Sequence, residues 1–139
     1  MDGEQLAVTH RRYVSYAHAH YAGNLVDGAY VLGLFGDVAT DLCIQADGDE
    51  GLFASYQDVQ FKAPVRGGDV IEATGRITRI GNRSRTIDFV CTVVCRGRPD
   101  LSATAAEVVG PPIVAVTAIG TVVVTPRGEH RAGGAAGGR

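Results

Sequence analysis

The length of 139 residues suits one domain, and a composition of about 45% apolar and 20% charged residues is that of a globular protein. With a net charge of −2 and 13 scattered Lys and Arg, the chain lacks the basic stripe of a nucleic-acid-binding protein. Its first residues have no apolar signal core and no window approaches the roughly 18 apolar residues of a membrane span, which predicts a cytoplasmic protein without a membrane partner.

In chain order, the first predicted elements are a short strand at 6–15 and an amphipathic helix from about Val26 to Cys43. The apolar residues of the helix recur at steps of three and four and form one stripe: Val31, Leu34, Phe35, Val38 and Leu42. Asn24 or Asp27 can cap its start.

Glycines interrupt the same helix at Gly28, Gly33 and Gly36, although glycine is a poor helix former. A packing reason is therefore expected, because glycine lets a second backbone or a ligand approach closely. A sheet wrapped around the helix would provide that reason.

The remaining residues predict four further strands with hairpin-length links: 52–61, 69–80, 85–96 and 114–125. One helix and a five- to six-stranded antiparallel sheet give an α+β fold, in the arrangement known as the hotdog. We predict one such domain at residues 1–126 and a flexible Gly- and Ala-rich tail at 127–139.

The cysteines Cys43, Cys91 and Cys95 do not have the spacing of metal ligands. Cys91 and Cys95 lie four apart in a predicted strand, so both should point to one face. We expect reduced thiols that pack as small apolar side chains.

The start of the helix, Asp27-Gly28-Ala29, is a candidate oxyanion site, because its first N–H groups lack intrahelical partners and the helix dipole favours negative charge there. Gly28 would leave room for an approaching carbonyl. An ordinary capped helix start is the alternative, and the spacing alone favours it.

Asp37 lies ten residues after Asp27, about 15 Å along the helix axis. It would meet a helix start only if two subunits paired with antiparallel helices, which predicts a composite site in a dimer. At the edge of the apolar stripe its carboxylate would be partly desolvated, which suits acid–base chemistry. A solvated Asp37 is the alternative that composition favours, and Asp41 is another candidate for the solvated position.

His18 and His20 are predicted to share one side of an extended segment. No third ligand is evident, so we predict no metal site and interpret His20 as a substrate contact or a packed side chain. Asn82 and Ser84, in the turn Gly81–Ser84, are either substrate contacts or turn residues.

The runs 19–42 and 47–85 closely resemble the hotdog-fold acyl-CoA ammonia lyases, which act on 3-aminobutyryl-CoA and β-alanyl-CoA. The resemblance extends over residues 8–126, and its most specific segment is His20-Tyr21-x-Gly23-Asn24-Leu25-Val26-x-Gly28-Ala29. More broadly, the chain is similar to the hexameric acyl-CoA thioesterases of the same superfamily.

The resemblance implies reversible β-elimination of ammonia from a 3-aminoacyl thioester. It also implies that Asn24 and Asp37 act together across a dimer. Asp37 would move a proton, and the N–H groups near Gly28 and Ala29 would stabilise the enolate oxygen. His20, Tyr21 and Asn24 would orient the thioester or the amine, and Asp27, Gln60, Asn82 and Ser84 complete the expected substrate-binding set.

One departure from the family concerns Gln60, where the relatives usually have Glu. Glutamine cannot hold a proton at neutral pH, so the amine could be an amino acid instead of ammonia. A thioester hydrolase and a non-catalytic acyl-thioester-binding protein are the alternatives. The expected substrate is an acyl thioester of coenzyme A or of an acyl carrier protein, with no cofactor, and the expected assembly is a homodimer, tetramer or hexamer.

Overall fold

The computed structural model describes residues 6–125, and its single long helix, α1, extends over Gly28–Asp47. Asp27 caps its start by accepting a hydrogen bond from the Tyr30 N–H at 3.2 Å. Gly48 ends it with φ +66°, and its N–H donates to the Ile44 carbonyl at 2.9 Å.

Both predicted ends of the helix were wrong. Val26 lies outside the helix, because its N–H donates to the Val65 carbonyl at 2.9 Å in a short extended segment. The helix continues beyond Cys43 because no helix-breaking residue occurs before Gly48.

Five long antiparallel strands form the main sheet, and a separate two-stranded ribbon precedes the helix. The strands are β1 (Ala7–Tyr13), β2 (Ala19–Tyr21), β3 (Leu25–Val26), β4 (Leu52–Phe61), β5 (Val70–Ile80), β6 (Ser84–Gly97) and β7 (Ala106–Val123). The sheet order is β1-β5-β6-β7-β4, so β4 pairs with β7 at the edge opposite β1. The predicted hotdog fold is confirmed.

The last strand begins eight residues earlier than predicted, at Ala106 instead of Val114. Its register against β6 changes from Val93↔Ile113 to Cys95↔Val108, so residues 109–112 bulge out of the ladder. Pro111 and Pro112 lie in this bulge, where no strand hydrogen bond is required of them. The predicted start of this strand, at Val114, therefore lies just after the bulge and leaves out the part of β7 that precedes it.

The core lies between the helix and the inner face of the sheet. The Phe35 ring of the helix stacks on Phe89 of β6 with centroids 4.8 Å apart. A Cβ at Gly120 would lie 2.6 Å from Phe53 and 2.8 Å from Phe89, so this strand glycine creates the space for the rings.

Two of the three helix glycines, Gly33 and Gly36, do not have the predicted packing role within the single chain. A Cβ at Gly33 or Gly36 would meet no atom within 4 Å, so the sheet does not approach them. Although α1 is long and apolar enough to cross a membrane, contrary to the sequence expectation, its apolar stripe is buried against the sheet, as in the core helix of a globular domain.

The thiols of Cys43 and Cys91 are fully buried and unpaired, and Cys95 is half-buried. Burial raises the pKa of Cys43 to about 11 and that of Cys91 to about 12. Both pack as small apolar side chains. The predicted tail at 127–139 lies outside the described residues.

Candidate active site

Asn24 lies in a tight turn immediately before β3 and the helix. Its φ of +62° and the φ of +76° at Gly23 place both residues in the left-handed region, which Asn and Gly tolerate best. The Asn24 side-chain amide donates to the Gly67 carbonyl at 2.8 Å, and the Gly67 N–H donates to the Asn24 carbonyl at 3.1 Å. The crossover from β4 to β5, residues 62–69, therefore fixes the orientation of the Asn24 amide.

A cavity of about 500 Å³ opens beside Asn24. One wall is a bidentate ion pair in which Arg96 donates to both carboxylate oxygens of Asp69, at 2.9 and 2.8 Å. Asp69 is fully buried and also accepts from the Arg66 N–H at 2.8 Å. Its hydrogen bonds raise the pKa of Arg96 above the ordinary value, so the guanidinium stays charged and stabilises the crossover.

The helix start carries donors, but its Gly28 face is covered. A Cβ at Gly28 would lie 2.5 Å from the Phe61 ring of β4. Phe61 therefore occupies the space on the Cβ side of Gly28 that we predicted for a substrate carbonyl, so a carbonyl would have to approach the helix N–H groups from another direction. Asp27 takes the Tyr30 N–H, which leaves the Gly28 and Ala29 N–H groups without intrahelical acceptors.

Asp37 opens on a different cavity, of about 370 Å³, between β1 and the helix. Arg12, Tyr30 and Gly33 also line it. Asp37 is exposed in the single chain, so the predicted partial desolvation is not found there. It follows Gly28 by nine residues, or about 14 Å of helix, and so lies far from the helix start of its own chain.

The paired carboxylate on this side of the helix is Asp41, the residue that the sequence analysis offers as the solvated one. The His10 ring lies 2.7 Å from its Oδ2, and Gln45 donates to its Oδ1 at 2.8 Å. These two hydrogen bonds, the one from His10 above all, lower the pKa of Asp41. Sequence reasoning missed His10, although its two-residue spacing from Val8 places both side chains on the inner face of β1.

His18 and His20 do not share an extended segment as predicted. His18 ends a short 3₁₀ helix, Tyr16–His18, and its ring lies 4.6 Å from that of Tyr30. His20 is exposed in β2, with its ring 4.7 Å from Tyr21. Among residues 6–125, no group of three or more His, Cys, Asp or Glu could hold a metal ion.

Gln60 is exposed on the edge strand β4, and its amide donates to the Asp58 carboxylate at 3.0 Å. Asp58 has a φ of +53° and lies at an irregularity of the β4–β7 ladder. A carboxylate therefore adjoins Gln60, a neighbour that the sequence pattern did not single out.

Asn82 and Ser84 lie at the opposite end of the sheet from Asn24. The turn that holds them is closed by the Gly81 N–H donating to the Ser84 carbonyl at 2.9 Å. It follows the last residue of β5, whereas the Asn24 partner Gly67 precedes the first, and a strand of this length extends roughly 33 Å. One chain cannot bring Asn82 and Ser84 to its own Asn24.

Comparison with known proteins identifies the same architecture. Residues 23–99 match the family model of the thioesterase superfamily. The chain is 52% identical to a 3-aminobutyryl-CoA ammonia lyase of Acetoanaerobium sticklandii over 113 residues, which is 81% of this chain and 89% of that protein.

Solved structures give the same result. A β-alanyl-CoA:ammonia lyase from Clostridium propionicum superposes with a TM-score of 0.83 at 37% identity, over 88% of this chain and 87% of that one. A hexameric hotdog fold thioesterase of Campylobacter jejuni superposes with a TM-score of 0.67 at 20% identity, over 92% and 88%.

Proposed function

Since this chain belongs to the thioesterase superfamily and, within it, to the acyl-CoA ammonia lyases, we propose that it is a carbon–nitrogen lyase of acyl thioesters. It adds an amine to the β-carbon of an enoyl thioester, or eliminates the amine in reverse. The observation that carries the proposal is the 52% identity to a 3-aminobutyryl-CoA ammonia lyase over 81% of this chain. The separation of Asp37 from the helix start then bears on how the site is assembled. Proton transfer and enolate stabilisation must act on one substrate, and one chain holds the two groups about 14 Å apart.

The site is completed by a second copy of the chain. If the two helices run antiparallel, Asp37 of one subunit lies beside Asn24 and the helix start of the other. This arrangement supports a homodimer as the smallest active unit, within which larger assemblies are built. The same pairing gives Asn82 and Ser84 a route to the substrate, as contacts from another subunit.

The chemistry follows from the groups that meet. A thioester α-proton becomes acidic enough to remove only when the enolate oxygen is stabilised, which the N–H groups of Gly28 and Ala29 would do. Asp37 would remove or return the α-proton, within the usual range of general acid–base catalysis. The Asn24 amide, fixed by Gly67, would orient the thioester, and Phe61 forms an apolar wall beside it.

His20 and Tyr21 are exposed beside the turn that holds Asn24, and they would contact the pantetheine arm or the amine. Asp27 would act through the helix cap, and Gln60 would contribute a neutral amide. The substrate is a thioester of coenzyme A or of an acyl carrier protein, no cofactor takes part, and we place the reaction in the cytoplasm.

The experiment is incubation with crotonyl-CoA and ammonia while enoyl absorbance and free thiol are both followed. Loss of enoyl absorbance without thiol supports the lyase. Thiol release without an amine adduct contradicts it and identifies a hydrolase, and the absence of both signals leaves only binding. The hydrolase is the second candidate, because Gln60 lacks the carboxylate that the ammonia lyases usually carry there.

Replacement of the proposed proton-transfer group gives the first prediction. Asp37→Asn should lower kcat about 10²- to 10⁴-fold, because an amide cannot exchange the α-proton. Asp41→Asn, one helical turn further along, is the matched control and should retain most turnover. Equal activity of Asp37→Asn and the unmodified protein in the enoyl assay would remove Asp37 from the mechanism.

A further inference from the structure

The cavity at Asp37 also holds a cation, Arg12. Side chains alternate along β1, so Val8, His10 and Arg12 face the helix while Arg11 faces the other way. The placement is visible in the contacts: His10 reaches Asp41 of the helix at 2.7 Å, and Arg11 pairs with Glu72 of β5 at 2.7 Å. Arg12 therefore points toward the side on which the proposed reaction takes place.

The Arg12 guanidinium is not neutralised by the carboxylates around it. Within residues 6–125 its polar contact is with the Arg11 carbonyl, at 3.2 Å, and it forms no ion pair. Asp41 is already bonded to His10 and Gln45. Asp37 shares the cavity with Arg12, and the two side chains form no ion pair within the part of the chain that the structure describes.

The cavity has space for a small ligand between the two charges. Its volume is about 370 Å³. Gly33 borders it with nothing within 4 Å of where a Cβ would lie. Tyr30 closes one side, with the His18 ring against it at 4.6 Å.

A cation at this position is unfavourable for ammonia alone. As the carbon–nitrogen bond forms, the nitrogen acquires positive charge, and a guanidinium in the same cavity repels it. An amine that also bears a carboxylate removes this conflict, because the carboxylate pairs with the guanidinium through charge-assisted hydrogen bonds.

We propose that the amine substrate is an amino acid whose carboxylate is bound by Arg12 while its nitrogen attacks the enoyl thioester beside Asp37. This inference rests on the proposed lyase function and names its amine. In the addition, the nitrogen forms a bond to the β-carbon and the π electrons move onto the thioester as an enolate. The α-carbon then takes a proton, and the nitrogen loses one, so the adduct is a secondary amine and the thioester stays intact.

The experiment compares amines on the full-length protein with crotonyl-CoA: ammonia, glycine, and ethanolamine. Ethanolamine matches glycine in size and basicity but carries no carboxylate. We expect kcat/KM for glycine to exceed that for ethanolamine by about 10- to 100-fold, the value of a charge-assisted contact. Arg12→Gln should remove this preference by lowering the glycine rate alone, and Arg12→Lys should restore part of it.

The matched control is Arg11→Gln, the neighbouring arginine on the outer face, which should leave the preference unchanged. Circular dichroism and thermal midpoints establish that each variant is folded. A glycine rate no higher than that of ethanolamine would overturn the inference, as would an equal loss for both amines in Arg12→Gln. If ammonia adds while glycine shows no preference, the inference alone fails; if no amine adds, the proposed function fails with it.

Discussion

At the scale of single residues, the structure separates what the sequence pattern could identify from what it could not. Asn24 and Asp37 were singled out from their positions around the helix and from the family resemblance. The Asn24 contact with Gly67, 43 residues away, and the His10–Asp41 contact are tertiary, so no local pattern predicts them. Phe61 over Gly28 is missed for the same reason.

Gly67 gives a residue-scale prediction about catalysis. A Cβ there would lie 2.9 Å from the Asn24 side-chain oxygen and 3.0 Å from the Tyr16 Cα. Gly67→Ala should displace the Asn24 amide and lower kcat/KM about 10-fold or more, because small misplacements are costly in catalysis. Gly97 lines the same cavity, but a Cβ there would have only an ordinary contact, at 3.8 Å. Gly97→Ala is therefore the control, and its steady-state kinetics should be nearly unchanged.

Asp41 gives a prediction about pH. Its folded-state pKa is lowered, chiefly by the hydrogen bond with His10, so it stabilises the fold above its unfolded pKa. This stabilisation is lost as pH falls through the folded pKa, in the acid range below about pH 4. Its side chain is 38% exposed, so the contribution is expected to be at most about 1 kcal/mol.

The test compares Asp41→Asn with the unmodified protein by urea unfolding. The variant should be slightly less stable at pH 7, and the difference should shrink at pH 3. A larger difference at pH 3 than at pH 7 would contradict the assigned direction.

At the scale of elements, it was easier to predict that a helix or strand exists than to predict where it begins and ends. The strand Leu52–Phe61 has the bounds expected from the sequence, because turn residues flank it on both sides. The helix and β7 were misplaced because backbone contacts, not local propensity, decide where they begin. The predicted close packing is found at Gly28 but not at Gly33 or Gly36, and strand glycines such as Gly120 have close neighbours instead.

A substitution at Gly120 tests whether this strand glycine creates the space for the core rings. Gly120→Ala would place a Cβ 2.6 Å from Phe53 and 2.8 Å from Phe89. We expect a loss of about 1–3 kcal/mol in the free energy of unfolding, the usual effect of overpacking a core. Denaturant unfolding of this variant and of the unmodified protein measures the loss.

At the scale of the whole molecule, the sequence specified the fold class but not the strand order. Hairpin-length links predict that consecutive strands pair. This holds for β5–β6 and β6–β7, but β4 pairs with β7, and β5 pairs with β1. The proposed composite site belongs to this scale as well, because Asp37 and Asn24 would meet only between two subunits.

Complementation between subunits tests the composite site. Asn24→Ala and Asp37→Asn should each be nearly inactive alone. Refolded together in equal amounts, they should recover about a quarter of the unmodified activity, since half of the dimers are mixed and each mixed dimer has one intact site. Light scattering confirms that both variants assemble. A mixture no more active than either variant would place Asn24 and Asp37 in one chain's site.

The contact between Asn24 and the crossover has a consequence for the order of folding. The turn before the helix is completed by Gly67, 43 residues later, and β1 pairs with β5 in a register that joins Ala7 to Arg76. Such non-local pairing slows folding, because loop-closure entropy is lost before the contacts form. The helix needs no contact so distant in sequence, whereas the Asn24 pocket is complete only after β6, which carries Arg96, has also joined the sheet. Recovery of catalytic activity during refolding should accordingly lag behind the helical circular dichroism signal.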